Sequence, residues 1–192
     1  MGLLDVLFGR TKPVQPNLDV LFSVPGAAYT LEAATGLASS GVGAVCFKPA
    51  EGGAAARTRE EITELLGLEP GGSITVSDDE YGYTWITSRQ TTVDVPALVT
   101  QLHAVNSTLA DAGFGPSLLC TIIGFADTRD GGHRRLGLVY LFKRGTFYPF
   151  APTGTQRRDT ELELQVRGEL SGELPIEEDL QRWFPIWSAP VP

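Results

Sequence analysis

The side chains that most often perform catalysis or bind metals are scarce in this sequence of 192 residues, which contains two histidines and two cysteines. His103 lies in a helical pattern and His133 in a glycine-rich turn, so they do not provide the three or four ligands that a zinc site needs. Cys46 and Cys120 each lie within an apolar stretch, which favours buried free thiols over a disulfide or a metal-binding pair. The sequence therefore predicts no metal site and no cofactor.

Short motifs with a known catalytic mechanism are also missing. The sequence contains no G-x-S-x-G, H-E-x-x-H or C-x-x-C motif and no Rossmann glycine pattern. In residues 48–53 the lysine precedes the glycines, whereas a phosphate-binding loop has the order G-x-x-x-x-G-K-[ST]. The acidic residues 78–80 lack the spacing of a calcium loop. We therefore expect a non-catalytic protein, with an enzyme or a small-ligand-binding protein as the third alternative, because site residues can converge from distant positions.

A basic and aromatic segment is the strongest surface signal. Seven of the fifteen Lys and Arg residues lie within residues 129–158, against the single acid Asp130, although the formal net charge of the chain is −8. Aromatic and arginine side chains are favoured anchors at protein interfaces. The alternative is that some of these arginines pair with Glu161, Glu163 or Glu169. We predict an interaction surface formed by Arg134, Arg135, Lys143, Arg144, Phe147, Tyr148, Phe150, Arg157 and Arg158.

The amino-acid composition indicates the broad class of protein. Hydrophobic content of 42% and charged content of 20% are typical of a soluble globular protein. The acidic balance argues against nucleic acid as a partner. No apolar run approaches the ~18 residues of a membrane span, and no signal peptide is evident, so we expect a cytoplasmic location. We predict an N-terminal apolar segment and proline spacer in residues 1–16 and a single α+β domain in residues 17–192.

The N-terminal segment carries five apolar side chains and then a stiff spacer that contains Pro13 and Pro16. Such a segment can insert into a membrane surface, but this one lacks the Lys/Arg face that lipid-binding helices usually have. The sequence therefore favours packing on the domain or on a partner over lipid binding. The apolar side chains are Leu3, Leu4, Val6, Leu7 and Phe8.

Periodicity and turn residues predict the elements that would position these side chains. Asp94 is the predicted cap of the clearest helix, Thr58 and Glu61 form a predicted capping box, and Pro149 limits its strand to an edge of the sheet. Helices are predicted over residues 17–22, 58–68, 95–112 and 175–183, and strands over residues 28–35, 42–47, 73–77, 81–89, 118–125, 135–142 and 146–150.

Three local predictions depend on finer patterns. Residues 39–41 are predicted to form a hairpin turn between the first two strands. Residues 160–170 alternate like a strand but also step like a helix, and we favour a helix capped by Asp159. The aromatic C-terminus, RWFPIW, is predicted to dock on the rest of the chain.

The predicted order of elements indicates an α+β fold with helices packed on a largely antiparallel sheet. With LHAVNSTLADAGFG on its long helix, this order resembles the YbjN and type III secretion chaperone-like fold. That likeness concerns the fold and does not assign a function.

Longer segments resemble one family along nearly the whole chain. They are MGLLDVLFGRTKPVQPNLDVLF, GVGAVCFKPAEGG, DEYGYTWI, LHAVNSTLADAGFGPSLLC, LVYLFKRGTFYPFAPTG, RRDTELELQ and RWFPIW. Together they resemble the PspA-associated protein PspAB family. The resemblance implies a place in the phage-shock, or envelope-stress, systems of actinobacteria and archaea.

The resemblance also implies partners. Such proteins occur with PspA, an ESCRT-III-like membrane-remodelling coiled-coil protein, and often with an HtpX-like membrane protease. The resemblance provides no catalytic residues. We therefore expect a non-catalytic accessory protein that contacts PspA or a related component. The alternative is a peripheral sensor that binds anionic lipid at the inner face of the plasma membrane.

Overall fold

The computed structural model describes residues 16–48, 54–67, 73–128 and 132–192. The predicted N-terminal segment lies outside the described residues up to residue 15. The same is true of most of the loop at residues 48–53, the end of the predicted helix at residue 68 with the break that follows it, and the turn at Asp130.

Six strands form one antiparallel sheet in the order β2-β3-β1-β4-β5-β6. All six correspond to predicted strands, and a short hairpin of β7 and β8 lies beyond β6. The fold is therefore α+β with an antiparallel sheet, as the sequence predicts. The strands are β1 (Leu37–Phe47), β2 (Ile74–Asp78), β3 (Thr84–Arg89), β4 (Leu118–Asp127), β5 (Arg135–Leu141), β6 (Thr146–Phe150), β7 (Pro152–Gly154) and β8 (Arg157–Arg158).

Helices contribute to the apolar core on one face of this sheet. Buried side chains from every helix, among them Leu31, Ile62, Leu102 and Val166, join strand residues in that core. Among the described residues, a separate core on the opposite face contains strand and C-terminal side chains and no helix residue. The helices are α1 (Val24–Thr35), α2 (Ala54–Leu65), α3 (Val95–Leu109) and α4 (Thr160–Leu170), and a 3-10 helix, Leu18–Ser23, precedes α1.

Two predicted helix caps are confirmed. The carboxylate of Asp94 accepts a hydrogen bond from the amide of Ala97 at 2.9 Å and begins α3. The carboxylate of Asp159 accepts one from the amide of Leu162 at 3.0 Å and begins α4, which decides the ambiguous segment in favour of a helix. Each bond satisfies one of the amides that a first helical turn leaves without a partner.

The predicted strand over residues 28–35 is wrong, because those residues belong to α1. Pro25 and Gly26 suggest a turn, but proline is tolerated in the first turn of a helix, where its missing N–H has no partner to lose. The buried residues Val24, Ala28, Leu31 and Thr35 follow helical spacing. The helix ends at Gly36, whose φ of 76° is readily adopted by glycine alone.

The predicted hairpin and its turn at residues 39–41 are wrong for the same reason. With no strand before it, β1 runs without a break through these residues and pairs with β3 and β4. Ser39 and Gly41, which suggested a turn, instead lie where the pairing of β1 with β4 is irregular. The paired residues of β1 skip there from Ser39 to Gly43. The predicted capping box also fails, because α2 begins at Ala54, so that Thr58 lies inside the helix.

Pro149 lies in β6 at the edge of the sheet, as predicted. The predicted helix over residues 175–183 is wrong. Its first residues instead form backbone hydrogen bonds with the open edge of β6. The amide of Phe147 donates to the carbonyl of Pro175, and the amide of Glu177 donates to the carbonyl of Phe147. Only a 3-10 turn, Leu180–Arg182, forms there, because the edge strand takes up backbone groups that a helix would use.

Within the described residues, no helix is both long enough and apolar enough to cross a membrane.

Candidate functional site

The structure places the three aromatic rings of the predicted interaction surface in the core. Phe147, Tyr148 and Phe150 have exposed fractions of 0%, 1% and 1%. Phe147 packs against Tyr140 on the helix face, with ring centroids 5.2 Å apart. Tyr148 and Phe150 face the opposite core. The prediction that these rings meet a partner is therefore corrected, since β6 lies at the edge of the sheet but is covered on both faces.

Most arginines of the predicted surface make intramolecular bonds. Arg158 donates to the Glu163 carboxylate at 2.8 Å, which agrees with the alternative that some arginines form ion pairs. Arg134 donates to the Asp127 carboxylate at 2.9 Å. The other pairs are Arg144 with Glu177, and Arg135 with the carbonyl oxygen of Pro192. These four arginines therefore bond to groups of the same chain and stabilise its fold.

Lys143 and Arg157 are the remaining basic residues of the predicted set. Both are exposed, and neither forms an ion pair within the described part of the chain. Lys143 follows β5, whereas Arg157 lies in β8, and all of β6 separates them along the chain. The continuous basic segment of the sequence is therefore divided in the fold, and its role as a contact surface stays a prediction.

The C-terminal segment, defined as residues 175–192, covers the sheet face opposite the helices. Trp183 is buried, donates its indole N–H to the carbonyl of Glu177 at 3.0 Å, and stacks on Tyr148 with ring centroids 6.1 Å apart. Val191 is 2% exposed and packs near Gly124, where a Cβ would meet its Cγ1 at 2.5 Å. Close approach of this segment therefore requires glycine in β4.

A cavity of about 580 Å³ lies between this face of the sheet and the C-terminal segment. Its floor is one transverse row of the sheet: Trp85 of β3 pairs with Cys46, Cys46 with Cys120 of β4, and Cys120 with Leu141 of β5. Residues paired across antiparallel strands project to the same face, which explains why one residue per strand forms the floor. The row is apolar apart from the two thiols.

The cavity wall is aromatic. Tyr148 and Trp187 line it, and Tyr81 and Phe184 also lie at its rim with exposed fractions of 54% and 59%. We call these two exposed rings the cavity mouth. An apolar cavity bordered by exposed aromatic rings is typical of a ligand or protein contact site.

Asp79 holds one end of the C-terminal segment. Its carboxylate accepts hydrogen bonds from the hydroxyl of Ser188 at 2.6 Å and from the indole N–H of Trp85 at 2.9 Å. The amides of Tyr81 and Tyr83 donate to the same carboxylate. Burial raises the pKa of Asp79, but these four donors outweigh burial and hold the pKa below its ordinary value.

Glu177 holds the other end. Its buried carboxylate accepts bonds from Arg144 and, at 2.9 Å, from the hydroxyl of Thr146. The amide of Asp179 donates to it as well. Burial raises the pKa of Glu177, and the three donors lower it by more, so the net pKa lies below the ordinary value.

Acidification is therefore expected to loosen the C-terminal segment. A carboxyl whose pKa is lowered by folding adds stability above its unfolded pKa of about 4, and that stability is lost as pH falls through the lower folded value. We expect indole fluorescence to report opening of the segment below about pH 4. The Asp79→Asn variant should show a weaker acid dependence. Identical profiles for the variant and the wild type would contradict this role of Asp79.

Cys46 and Cys120 are buried free thiols, as predicted. The Cys46 thiol donates a hydrogen bond to Cys120, and this bond and burial both raise the pKa of Cys46, so it is protonated at neutral pH. A protonated thiol is a weak nucleophile. Cys46 therefore acts as an apolar side chain of the cavity floor.

The described residues contain neither a metal-binding cluster nor a closely bonded histidine triad. Within the described ranges, no group of three or more His, Cys, Asp and Glu side chains is placed to hold a metal. The imidazole of His103 lies between a hydroxyl and a carboxylate, as in the triad of a hydrolase. Its Nδ1 is 3.5 Å from the Ser107 hydroxyl, and its Nε2 is 3.5 Å from the Asp19 carboxylate. Both separations exceed the 2.6–3.2 Å typical of such pairs, and the Asp19 side chain is 87% exposed. The arrangement lacks a rigidly held acid.

Sequence reasoning missed the cavity. The alternation of Tyr81, Tyr83 and Trp85 indicates a shared sheet face, and the apolar C-terminus indicates docking. The signal that would join them is the cross-strand register, which brings Cys46 and Cys120 opposite each other. That register is a long-range property of the fold.

Comparison with models of protein families gives a match over nearly the whole chain. A model of the family described as PspA associated protein B matches residues 1–191. No curated protein matches the chain, and no solved structure matches it.

Proposed function

Because this chain belongs to the PspA associated protein B family and so has an accessory role in the Psp system, we propose that it is non-catalytic and acts by binding PspA directly. We place the contact at the cavity mouth. The proposed location is cytoplasmic, where the chain would meet PspA.

The observation that carries this proposal is the open apolar cavity with two exposed rings at its rim. Tyr81 and Phe184 leave more than half of their surface in water, with exposed fractions of 54% and 59%. Exposed aromatic residues beside an apolar cavity are efficient anchors, since they bury large area at a small cost in side-chain entropy. An apolar side chain from PspA that enters the cavity would also remove Leu141 and Trp187 from water.

The basic segment, residues 129–158, is a weaker candidate for PspA binding than the cavity mouth. Arg134, Arg144 and Arg158 already bind carboxylates of this chain. A partner acid would have to compete with ion pairs in which the carboxylate side chain is 2% to 3% exposed. Replacing such an arginine would alter the fold as well as any contact, so Lys143 and Arg157 are the suitable probes of a basic surface.

We expect the Tyr81→Ser/Phe184→Ser variant to bind purified PspA at least about tenfold more weakly than the wild type, because interface anchors each contribute more than about 1 kcal/mol. Isothermal titration calorimetry with purified PspA measures the change. The matched control is Tyr29→Ser on α1, which removes a ring that is 76% exposed on the helix side.

Three outcomes decide between surfaces. Loss of binding in the mouth variant alone supports the proposal. Equal loss in Tyr29→Ser, or no change in the mouth variant, contradicts it. Loss in Lys143→Glu/Arg157→Glu with an unaffected mouth variant would assign the contact to the basic residues.

Binding to anionic lipid is the competing proposal. Polybasic attraction adds about 1 kcal/mol per basic residue near the membrane surface and weakens with salt. Since several arginines of the segment are already paired, we expect no flotation with anionic vesicles at physiological salt. Flotation that disappears in Lys143→Glu/Arg157→Glu would favour the membrane. An association with an HtpX-like protease stays a prediction from the family resemblance.

A further inference from the structure

We propose that the N-terminal apolar segment of this same chain, residues 2–8, docks in the cavity and competes there with PspA. The competition rests on the proposed function. The intramolecular docking does not, because it concerns the isolated chain.

The described part of the chain begins near the cavity end of the sheet. Asn17 lies at the end of the sheet where β5 turns into β6. Its carbonyl accepts a hydrogen bond from the Tyr140 hydroxyl at 2.9 Å, and its amide nitrogen is 3.9 Å from the position of a Cβ on Gly145. The amide of Gly145 in turn donates to the carbonyl of Leu141 at 2.9 Å. Tyr140 packs in the helix-side core, whereas its neighbour Leu141 lines the cavity on the opposite face. Asn17 therefore lies on the helix side, at the end of the sheet that is next to the cavity floor.

The spacer before Asn17 is long enough to bring the apolar segment to the cavity. Residues 9–16 separate the apolar segment from Asn17. Eight extended residues span about 26 Å. The floor row from Leu141 to Trp85 crosses three strand spacings, or about 14 Å. The spacer therefore has enough length to pass the end of the sheet and bring the segment onto the floor.

The apolar side chains of the N-terminal segment match the apolar lining of the cavity. Five of the seven residues from Gly2 to Phe8 are apolar. The cavity of about 580 Å³ is lined by aromatic rings, leucine and thiols, and its volume lies within the usual range for pockets that bury a bound group. Pro13 and Pro16 stiffen the spacer and reduce the entropy lost on docking. A segment tethered so closely has a high effective concentration at the cavity.

Photocrosslinking in the full chain tests the docking. We would place p-benzoylphenylalanine at position 8 and irradiate the dilute protein without PspA. Mass spectrometry is expected to locate crosslinks in residues 118–120 and 184–188, which contribute Leu119, Cys120 and the cavity wall. Crosslinks confined to α1 or α3 on the helix side would overturn the proposal.

A second copy of the chain is the other possible occupant. Mixing isotope-labelled and unlabelled chains distinguishes the two, because crosslinks within one chain never combine the labels. Mixed crosslinks that increase with protein concentration would assign the cavity to a neighbouring copy and overturn docking within one chain.

A variant with Leu4→Ser, Leu7→Ser and Phe8→Ser tests both parts of the proposal. Binding of an apolar fluorescent dye by the isolated protein should increase several-fold, because the cavity is no longer occupied. Asp5→Ser is the control and should leave dye binding unchanged. Equal dye binding by the triple-serine variant and the wild type would overturn the docking.

The same variant separates this inference from the proposed function. If the segment occupies the cavity nine-tenths of the time, its loss should tighten PspA binding about tenfold. Increased dye binding with unchanged PspA affinity would retain the docking and overturn the competition. Absence of PspA binding by every variant would contradict the proposed function instead.

Discussion

Replacing Trp183 by alanine is expected to lower the free energy of unfolding by about 3–5 kcal/mol, the usual cost of truncating a buried aromatic side chain. The indole is 6% exposed and stacks on Tyr148. Its N–H bond to the carbonyl of Glu177 would be lost as well. Because this residue fixes the middle of the C-terminal segment, the variant should also be cleaved faster by proteases within residues 175–192.

Chemical denaturation measures the loss of stability, and limited proteolysis measures the release of the segment. The adjacent Phe184→Ala is the matched control, since that ring is 59% exposed and its removal should change stability by about 0.5 kcal/mol or less. Equal losses in the two variants would show that the segment is not fixed through Trp183.

Replacing Arg158 by alanine is expected to cost about 3 kcal/mol, because it leaves a buried carboxylate without its cation. The side chain of Glu163 is 3% exposed and accepts the Arg158 bond at 2.8 Å. Arg158 also donates to the carbonyl of Trp183 at 2.7 Å and lies 5.4 Å from the centre of the Phe150 ring. The variant thus removes a connection between α4, β6 and the C-terminal segment.

Arg157→Ala is an unusually close control, because it removes the same charge one residue earlier from an exposed position. Its effect on the free energy of unfolding should stay within about 0.5 kcal/mol. Thermal unfolding of both variants at the same salt concentration separates them. A similar fall in both would mean that net charge, and not the buried ion pair, accounts for the loss.

Local patterns predicted the parts of the fold that depend on local physics. The apolar strands at residues 118–125 and 135–142, the cap at Asp94 and the edge position of Pro149 all follow from neighbours in sequence. The strand predicted before β1 failed because Pro25-Gly26 is compatible with both a turn and a helix start. The helix predicted at residues 175–183 failed because an open strand edge elsewhere in the chain binds its backbone.

The sequence did not predict the candidate site, because the site depends on contacts between distant segments. A cluster of charge in the sequence does not show which residues have a carboxylate partner, and Arg144 finds Glu177 only through folding. The aromatic rings after Lys143 alternate between two buried faces, which sequence alternation does not distinguish from one exposed face. The cavity takes one residue from each of several strands, so no single segment signals it.

Contact with PspA at the cavity mouth is tested most directly by photocrosslinking from position 184. We would place p-benzoylphenylalanine there, irradiate the full chain with purified PspA, and use position 29 on the helix side as the matched control. The proposed contact predicts crosslinks to PspA from position 184 and none from position 29. Crosslinks from position 29 alone, or from neither position under conditions where calorimetry detects binding, would contradict it.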